Sequence, residues 1–427
     1  MQIGANRRVY FDLTWHIHIF AVRYCAILTV LHEKMKNTIN PFARPLYVMA
    51  KPAGAHCNLM CEYCYYLEKQ KLYPDGVKHV MSDQLTEVFI REYIQSQFGQ
   101  EVNFTWHGGE PMIRPLEYYK KVVRWQRQYA GSKRIMNCLQ TNGTLLTPEW
   151  CRFLHNEGWL VGVSIDGPQD IHDAYRLKRN GSPTWSKVMQ GIDMLNRYDV
   201  EWNAMAVVND VAASRPLDFY RFFRDELGCR FLQFTPVVER INKHSDGRHL
   251  AHVLDKGEYE MAPFSVSPEA WGKFLCDIFD EWYTNDVGEM FVQIFEATLA
   301  NWVGVTPGVC SLSEWCGHAA VMEHNGDIYC CDHFVFPEYY LGNIRSKGIL
   351  EMMNSEKQQT FANMKTKGLP TQCQQCKWQF ACHGECPRNR FAQTADGEPG
   401  LNYLCLGYKK FFEHCSSRME ILKERFG

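Results

Sequence analysis

Between Leu46 and about Val238 the chain alternates short apolar, strand-like runs with longer stretches whose apolar residues recur at helical spacing. The strand-like runs are LYVMAK near 46, VNFTW near 102, RIMNCLQ near 134, WLVGVSI near 159, WNAMAVV near 202 and RFLQFTP near 230. The intervening amphipathic stretches are Ser82 to Gln97, Pro115 to Tyr129, Pro148 to Glu157, Trp185 to Tyr198 and Arg215 to Leu227, with Ser82, Thr147 and Ser214 as expected N-caps. Such alternation predicts βαβ units around a parallel sheet. After about Arg240 it stops. A polar, His-containing stretch runs to Glu260, a helical segment rich in aromatics covers roughly Pro268 to Trp282, and a cysteine-dense region begins at Cys310.

The unusual residues fall directly after the strands. A cysteine loop follows the first, HGGEP (107–111) the second, TNGT (141–144) the third and DGP (166–168) the fourth. In β/α barrels, sites are built at the C-terminal strand ends, so these motifs are expected at one mouth. The fold class this implies is α/β, a partial (β/α)6 barrel followed by a cysteine-rich C-terminal domain. The expected divisions are 1–44 as an N-terminal extension, 45–260 as the barrel, 261–308 as a connecting helical segment and 309–427 as the cysteine-rich domain.

With 427 residues the chain can bury a large core, and its 46% hydrophobic and 22% charged content is ordinary for a globular protein. A net charge of −2 gives no sequence-wide attraction for nucleic acid. The apolar segment Val9 to Leu31 is interrupted by Asp12, His16, His18 and Arg23, which would be costly in hydrocarbon, so no membrane attachment is expected. The eighteen cysteines are the outlier. Their tight spacings in a long chain suit metal ligation in a reducing compartment, and a cytoplasmic location is expected.

Cys57, Cys61 and Cys64, spaced CxxxCxxC, supply three thiolates and withhold a fourth. That set fits a [4Fe–4S] cluster with one iron open for chemistry, where a structural zinc site would want four ligands. Downstream, Cys310, Cys316, Cys331, Cys373, Cys376, Cys382, Cys386 and Cys405 provide eight more. Eight thiolates suffice for two fully ligated [4Fe–4S] clusters; two four-cysteine zinc sites would use the same number, and spacing does not separate the metals. Cys330 and Cys331 both have the reach to be a ligand. Cys25, Cys138, Cys151, Cys229, Cys276 and Cys415 are isolated and are expected to be buried apolar residues.

CNLMCEYCYY, HGGEP, QTNG and SIDGP together resemble the radical S-adenosylmethionine enzymes. From about Leu46 to Tyr408 the chain resembles, more closely, the anaerobic sulfatase-maturating enzymes of the Bacteroides type, which carry a C-terminal SPASM domain. The resemblance implies a radical SAM barrel, two auxiliary clusters and S-adenosylmethionine as cofactor. It places Tyr63, Gly109, Ser164, Arg176 and Val238 against S-adenosylmethionine, with Gly109 glycine so that the ligand can approach the backbone and Arg176 suited to its carboxylate. It assigns Cys310, Cys316, Cys331 and Cys386 to an inner auxiliary cluster and Cys373, Cys376, Cys382 and Cys405 to an outer one. The spacing from Gly326 and the following Asp332 favour Cys331 over Cys330.

The resemblance also makes Asp332 the general base, a role that suits a carboxylate whose surroundings raise its pKa. The activity implied is oxidation of a Cys or Ser in a sulfatase to Cα-formylglycine. A 5′-deoxyadenosyl radical would take a β-hydrogen, the auxiliary clusters the remaining electron and Asp332 the proton. The partners implied are a sulfatase polypeptide and a reducing donor of flavodoxin or ferredoxin type. Two alternatives remain: another SPASM peptide maturase, such as a thioether-forming one, and a non-catalytic metal-binding protein.

Overall fold

The computed structural model describes residues 46–73, 79–244, 250–251, 257–317 and 319–426. The apolar segment Val9 to Leu31 and Cys25 lie outside the described residues. Six strands form where the alternation places them: β1 (Tyr47–Ala50), β2 (Glu101–Trp106), β3 (Arg134–Thr141), β4 (Leu160–Ser164), β5 (Trp202–Val208) and β6 (Phe231–Pro236). All neighbouring pairs are parallel, so every strand delivers its following loop to the same edge of the sheet.

The helices return between them. Asp83–Ser96 is capped by Ser82, whose hydroxyl accepts from the Leu85 amide, and Pro148–Asn156 by Thr147, which accepts from Trp150. Ser214 is not a cap. Asn209 opens a short helix, Asp210–Ser214, in which Ser214 is the last residue, and the next helix, Pro216–Arg221, starts with proline at its first position.

Beyond β6 come a small antiparallel pair, β7 (Arg240–Asn242) and β8 (Tyr259–Met261), then β9 (Phe291–Val292), which extends the sheet in parallel beside β6. At the other edge, β10 (Ala319–Met322) pairs in parallel with β1 and leads through β11 (Asp327–Tyr329) to β12 (Tyr340–Asn343) in antiparallel fashion. The sheet thus has ten strands, in the order β12-β11-β10-β1-β2-β3-β4-β5-β6-β9. The sequence pattern did not announce this continuity. β10 is four residues of small and apolar type, and it covers the unpaired edge that β1 would otherwise present.

One aromatic layer lies under the first three strands, with Phe89, Phe104, Trp106, Tyr119 and Trp159 in edge or stacked contact. A second links Phe234 and Phe274 to Phe295 and Phe411, joining the barrel to the C-terminal helix Cys405–Phe426. That helix packs on Pro268–Asn285 at Gly407 and Gly272; a Cβ on Gly272 would lie 2.9 Å from the Gly407 Cα. Among the described residues no helix is long and apolar enough to cross a membrane.

Candidate active site

The four motif loops are tied together by side chains. Glu110 of HGGEP accepts from the Met112 amide at 2.9 Å, the Asn142 amide at 2.8 Å and the Thr141 hydroxyl at 2.8 Å, which fixes the HGGEP loop to TNGT. Asn142 donates to Asn58 Oδ1, and Asn58 in turn donates to the Thr144 hydroxyl, each at 2.9 Å, so the cysteine loop joins the same lattice. Gly108 and Gly109 serve this packing. The Gly109 amide donates to the Gly54 carbonyl at 2.8 Å, and a Cβ on Gly109 would fall 2.1 Å from the His56 carbonyl oxygen. Gly108 has φ +137°, a conformation side chains disfavour. Close packing on the cysteine loop's own backbone is thus a reason for glycine here beside the expected approach of a ligand to the backbone.

Cys57 feels the charge of Cys64, and Cys61 that of both Cys57 and Cys64, so the three thiols converge. Burial pushes the Cys57 thiol up to about 12 and raises Cys61 and Cys64 too. Unaided, such thiols keep their protons; a cluster's iron supplies the positive charge that makes thiolates favourable there. The donor set fits an iron–sulfur cluster with an open iron.

Beside it, Asp166 of SIDGP collects partners. Arg176 donates to it through Nε at 3.1 Å and Nη2 at 3.2 Å, the Val207 amide donates at 3.0 Å, and the Tyr63 hydroxyl also donates to it. Burial works to raise the Asp166 pKa, but Arg176 and the other donors outweigh it and hold the carboxyl below its usual range. Two of the three Arg176 nitrogens are therefore engaged within the protein. Ser164, at the end of β4, accepts from Gln140 at 3.1 Å, and Val238, just past β6, lines a cavity of about 240 Å³. Tyr63 thus lies within the cysteine loop, Gly109 and Ser164 at the ends of β2 and β4, Arg176 on Asp166, and Val238 on the cavity. In the sequence Asp166 stands only as part of the SIDGP motif; a carboxylate at a strand end is the signal that marks it.

The cavity is bounded by Tyr65, Lys69, Glu239 and Val238 from the barrel and by His333, Phe336 and Arg388 from the C-terminal region. Arg388 pairs with Glu239 across this boundary and lies over the Tyr65 ring at 4.6 Å. Beside it Asp332 receives the Tyr65 hydroxyl at 2.7 Å and the fully buried Lys51 ammonium at 2.6 Å. Lys51 Nζ also lies 3.3 Å from His107 Nδ1. Burial is the largest single influence and would raise the Asp332 pKa, but Lys51, His107 and His333 together outweigh it, so the carboxyl sits below its usual range. The expectation of a raised pKa is corrected: an ammonium at ion-pair distance favours the charged form.

In the C-terminal region the eight cysteines separate into two groups. Cys373, Cys376, Cys382 and Cys405 line one small cavity with Trp378, Tyr408 and Phe412. Cys331 feels Cys310 and Cys386, and Cys386 feels Cys310 and Cys316, which makes these four a second group. Cys330 is turned into the hydrophobic core and is wholly buried, whereas Cys331 faces the other thiols. Among the described residues no three donors lie close enough to grip a single metal ion. Of the isolated cysteines, Cys151, Cys229, Cys276 and Cys415 are buried and Cys138 is half-buried.

A strand-end cysteine triad on a partial barrel, with two further thiol groups behind it, defines a radical S-adenosylmethionine enzyme with auxiliary clusters. The Radical SAM superfamily model matches residues 52–223, and the SPASM iron-sulfur cluster-binding domain matches 310–377. The chain is 61% identical over 388 residues to a serine-type anaerobic sulfatase-maturating enzyme of Bacteroides thetaiotaomicron, covering 91% of this chain and 94% of that one. It is 31% identical over 378 residues to a cysteine-type enzyme of Clostridium perfringens, covering 88% and 97%. A solved structure of native anSMEcpe with bound AdoMet and Cp18Cys peptide superposes with a TM-score of 0.76 at 31% identity, covering 90% of this chain and all of that one. The chain belongs to the anaerobic sulfatase-maturating enzymes. It is a radical SAM oxidoreductase with three [4Fe–4S] clusters, forming Cα-formylglycine from a Cys or Ser of a sulfatase.

Proposed function

We propose that this chain oxidises a serine of its sulfatase substrate, with Asp332 as the base that removes the hydroxyl proton. The identity of 61% to a serine-type enzyme, against 31% to a cysteine-type one, supports serine. The observation that carries the base assignment is the position of Asp332, next to Cys331 and held beside the cavity by Lys51 and Tyr65. Cys57, Cys61 and Cys64 hold the cluster that binds S-adenosylmethionine, with Tyr63, Gly109, Ser164, Arg176 and Val238 around that cofactor. Cys310, Cys316, Cys331 and Cys386 hold the inner auxiliary cluster, and Cys373, Cys376, Cys382 and Cys405 the outer one. When bound, these groups supply hydrogen-atom abstraction and an acceptor for one further electron.

The chain's own residues perform the rest. Oxidation of a CH2–OH group to an aldehyde removes two electrons and two protons; one of each leaves as the abstracted hydrogen atom. The second proton goes from the hydroxyl oxygen to an Asp332 carboxylate oxygen. Lys51 keeps that carboxylate ionised and so free of a proton, at the cost of making it a weaker base than an unpaired carboxylate. Tyr65 and Lys51 hold one oxygen each, which fixes the carboxylate next to Tyr65 and His333 of the cavity lining. Tyr65, Phe336 and Phe391 line the cavity beside the charged Lys69, Glu239 and Arg388, so its wall offers both apolar and polar surface to a peptide.

A reducing donor of flavodoxin or ferredoxin type starts the cycle, and the abundance of thiols supports a reducing, cytoplasmic setting. The test is anaerobic incubation with paired sulfatase peptides carrying Ser or Cys at the modified position, followed by mass measurement. Loss of two hydrogens from the serine peptide is expected. Conversion of the cysteine peptide alone would overturn the serine assignment.

A further inference from the structure

The short helical turn Asn363–Lys365 ends in a lysine that the fold buries almost completely, at 1% exposure. Its ammonium donates to the carbonyl oxygens of Cys310 and Ser311, each at 2.7 Å. Among the described residues no carboxylate lies within ion-pair distance of it. The buried acid whose charge acts on it most, Glu385, gives one carboxylate oxygen to the side-chain amides of Asn389 and Asn402 instead. Carbonyl dipoles solvate an ammonium but do not neutralise it, and an uncompensated buried charge is strongly disfavoured. No carboxylate of the described residues reaches the ammonium directly, and thiols stand around the lysine. The Lys365 charge acts on both Cys310 and Cys316.

The arrangement is fixed by a second cation. Arg390 spends its donors on backbone carbonyls: Nε on Gly384, Nη1 on Met364 and Lys365, and Nη2 on His383 and Glu385, all between 2.8 and 3.1 Å. The carbonyls of 383, 384 and 385 belong to the chain that runs from Cys382 of one thiol group to Cys386 of the other. All three of these residues have φ between 49° and 73°, which His383 and Glu385 adopt without the freedom of glycine. Arg390 therefore clamps the strained link between the two groups and, through the Lys365 carbonyl, the turn that carries the lysine.

We propose that Lys365 is a positioning residue for electron transfer: its buried ammonium is the built-in counter-ion of the inner auxiliary cluster and raises that cluster's reduction potential. The inference rests on the ligand assignment proposed above. A cluster with four thiolate ligands is anionic and gains one more negative charge on accepting an electron, so a fixed cation nearby favours the reduced form. The electron left after hydrogen abstraction from the substrate thereby meets an acceptor whose reduced state the protein stabilises. Net charge and hydrogen bonding around the sulfurs are the recognised means by which a protein sets such potentials.

The test is an anaerobic redox titration of the full-length, reconstituted protein followed by electron paramagnetic resonance, with iron content measured in parallel. Lys365→Met removes the charge at similar volume, and Lys365→Arg keeps it. In Lys365→Met, with iron unchanged, the reduced-to-oxidised ratio of one cluster at fixed potential is expected to fall about tenfold, a shift of about 59 mV for one electron. Lys365→Arg is expected to restore most of it. Unchanged titrations in a fully loaded Lys365→Met protein would overturn the proposal. So would loss of iron in both variants, since the lysine would then be scaffolding for the Cys310 loop. The ligand assignment is checked separately by Cys310→Ala: retention of all iron there would remove the assignment, whatever Lys365 does.

Discussion

Lys51 directly after β1 and Asp332 directly after Cys331 meet at 2.6 Å, so the barrel supplies the counter-ion for a carboxylate of the C-terminal region. The lysine is wholly buried and has the Tyr66 ring 4.0 Å from its Nζ, so it has no route to solvent that would let it relax away from Asp332. Asp332→Asn is expected to retain S-adenosylmethionine cleavage and lose formylglycine by two orders of magnitude or more, the range typical of a lost general base. Lys51→Met leaves the carboxylate half-partnered, and breaking a buried pair in this way costs about 3–5 kcal/mol. Parallel assays of 5′-deoxyadenosine and aldehyde would check both. Normal aldehyde yield from Asp332→Asn would remove Asp332 from the base role.

Gly109→Ala tests why the HGGEP loop needs glycine. The added Cβ would stand 2.1 Å from the His56 carbonyl oxygen, and that oxygen already accepts from the Glu110 amide at 2.9 Å. Neither backbone can yield without displacing the cysteine loop, so the expected cost is at or above the usual range of about 1–3 kcal/mol for overpacking. The variant is expected to assemble with less iron and a lower unfolding temperature. Full iron loading with normal stability would show that the two loops can separate, and that ligand access rather than packing sets the glycine.

The barrel was legible because its signals are local: six apolar runs of strand length, hydroxyl caps at Ser82 and Thr147, and motifs placed after strands. Ser214 failed as a cap because Asn209 and Pro216 divide the stretch around it into two short helices. Of the site residues named by resemblance, Tyr63, Gly109 and Ser164 lie in visible motifs while Arg176 and Val238 do not, and the partners of all of them were hidden. Nothing near Arg176 in sequence says that Asp166 takes its guanidinium, and nothing near Lys51 points to Asp332. The β10 pairing with β1 was equally hidden, since a four-residue apolar strand carries little periodicity of its own and gains its meaning from the edge it covers.

His172 gives the fold a dependence on acidity that is separate from the thiols. It is fully buried; its Nδ1 accepts from the Asp166 amide at 3.2 Å, and its Nε2 lies 3.0 Å from the Thr184 hydroxyl. Burial, above all, lowers its pKa from 6.5 to about 4. Below pH 6.5 the unfolded chain takes up a proton that the folded chain refuses until about pH 4, so folding loses stability as the pH falls through that window. The full loss is roughly 3 kcal/mol at about 1.36 kcal/mol per pH unit. Apparent melting temperatures from about pH 7 to about pH 4.5 should fall less steeply in His172→Gln than in the parent. Equal slopes would contradict a buried neutral histidine.

Cys61 is the central member of the triad, and burial raises its thiol pKa despite the opposing Arg176 charge. Cys61→Ala is expected to lower iron by about one cluster's worth, about four of roughly twelve atoms for three [4Fe–4S] centres. It should also abolish 5′-deoxyadenosine formation. The two auxiliary groups share no cysteine with the triad, so their absorbance and spectroscopic signals are expected to survive. If 5′-deoxyadenosine persisted, the radical-generating site would have to lie elsewhere. If all iron were lost together, the three thiol groups would be one cooperative assembly rather than separable sites. Zinc in place of iron in anaerobically prepared protein would overturn the reading of all three groups.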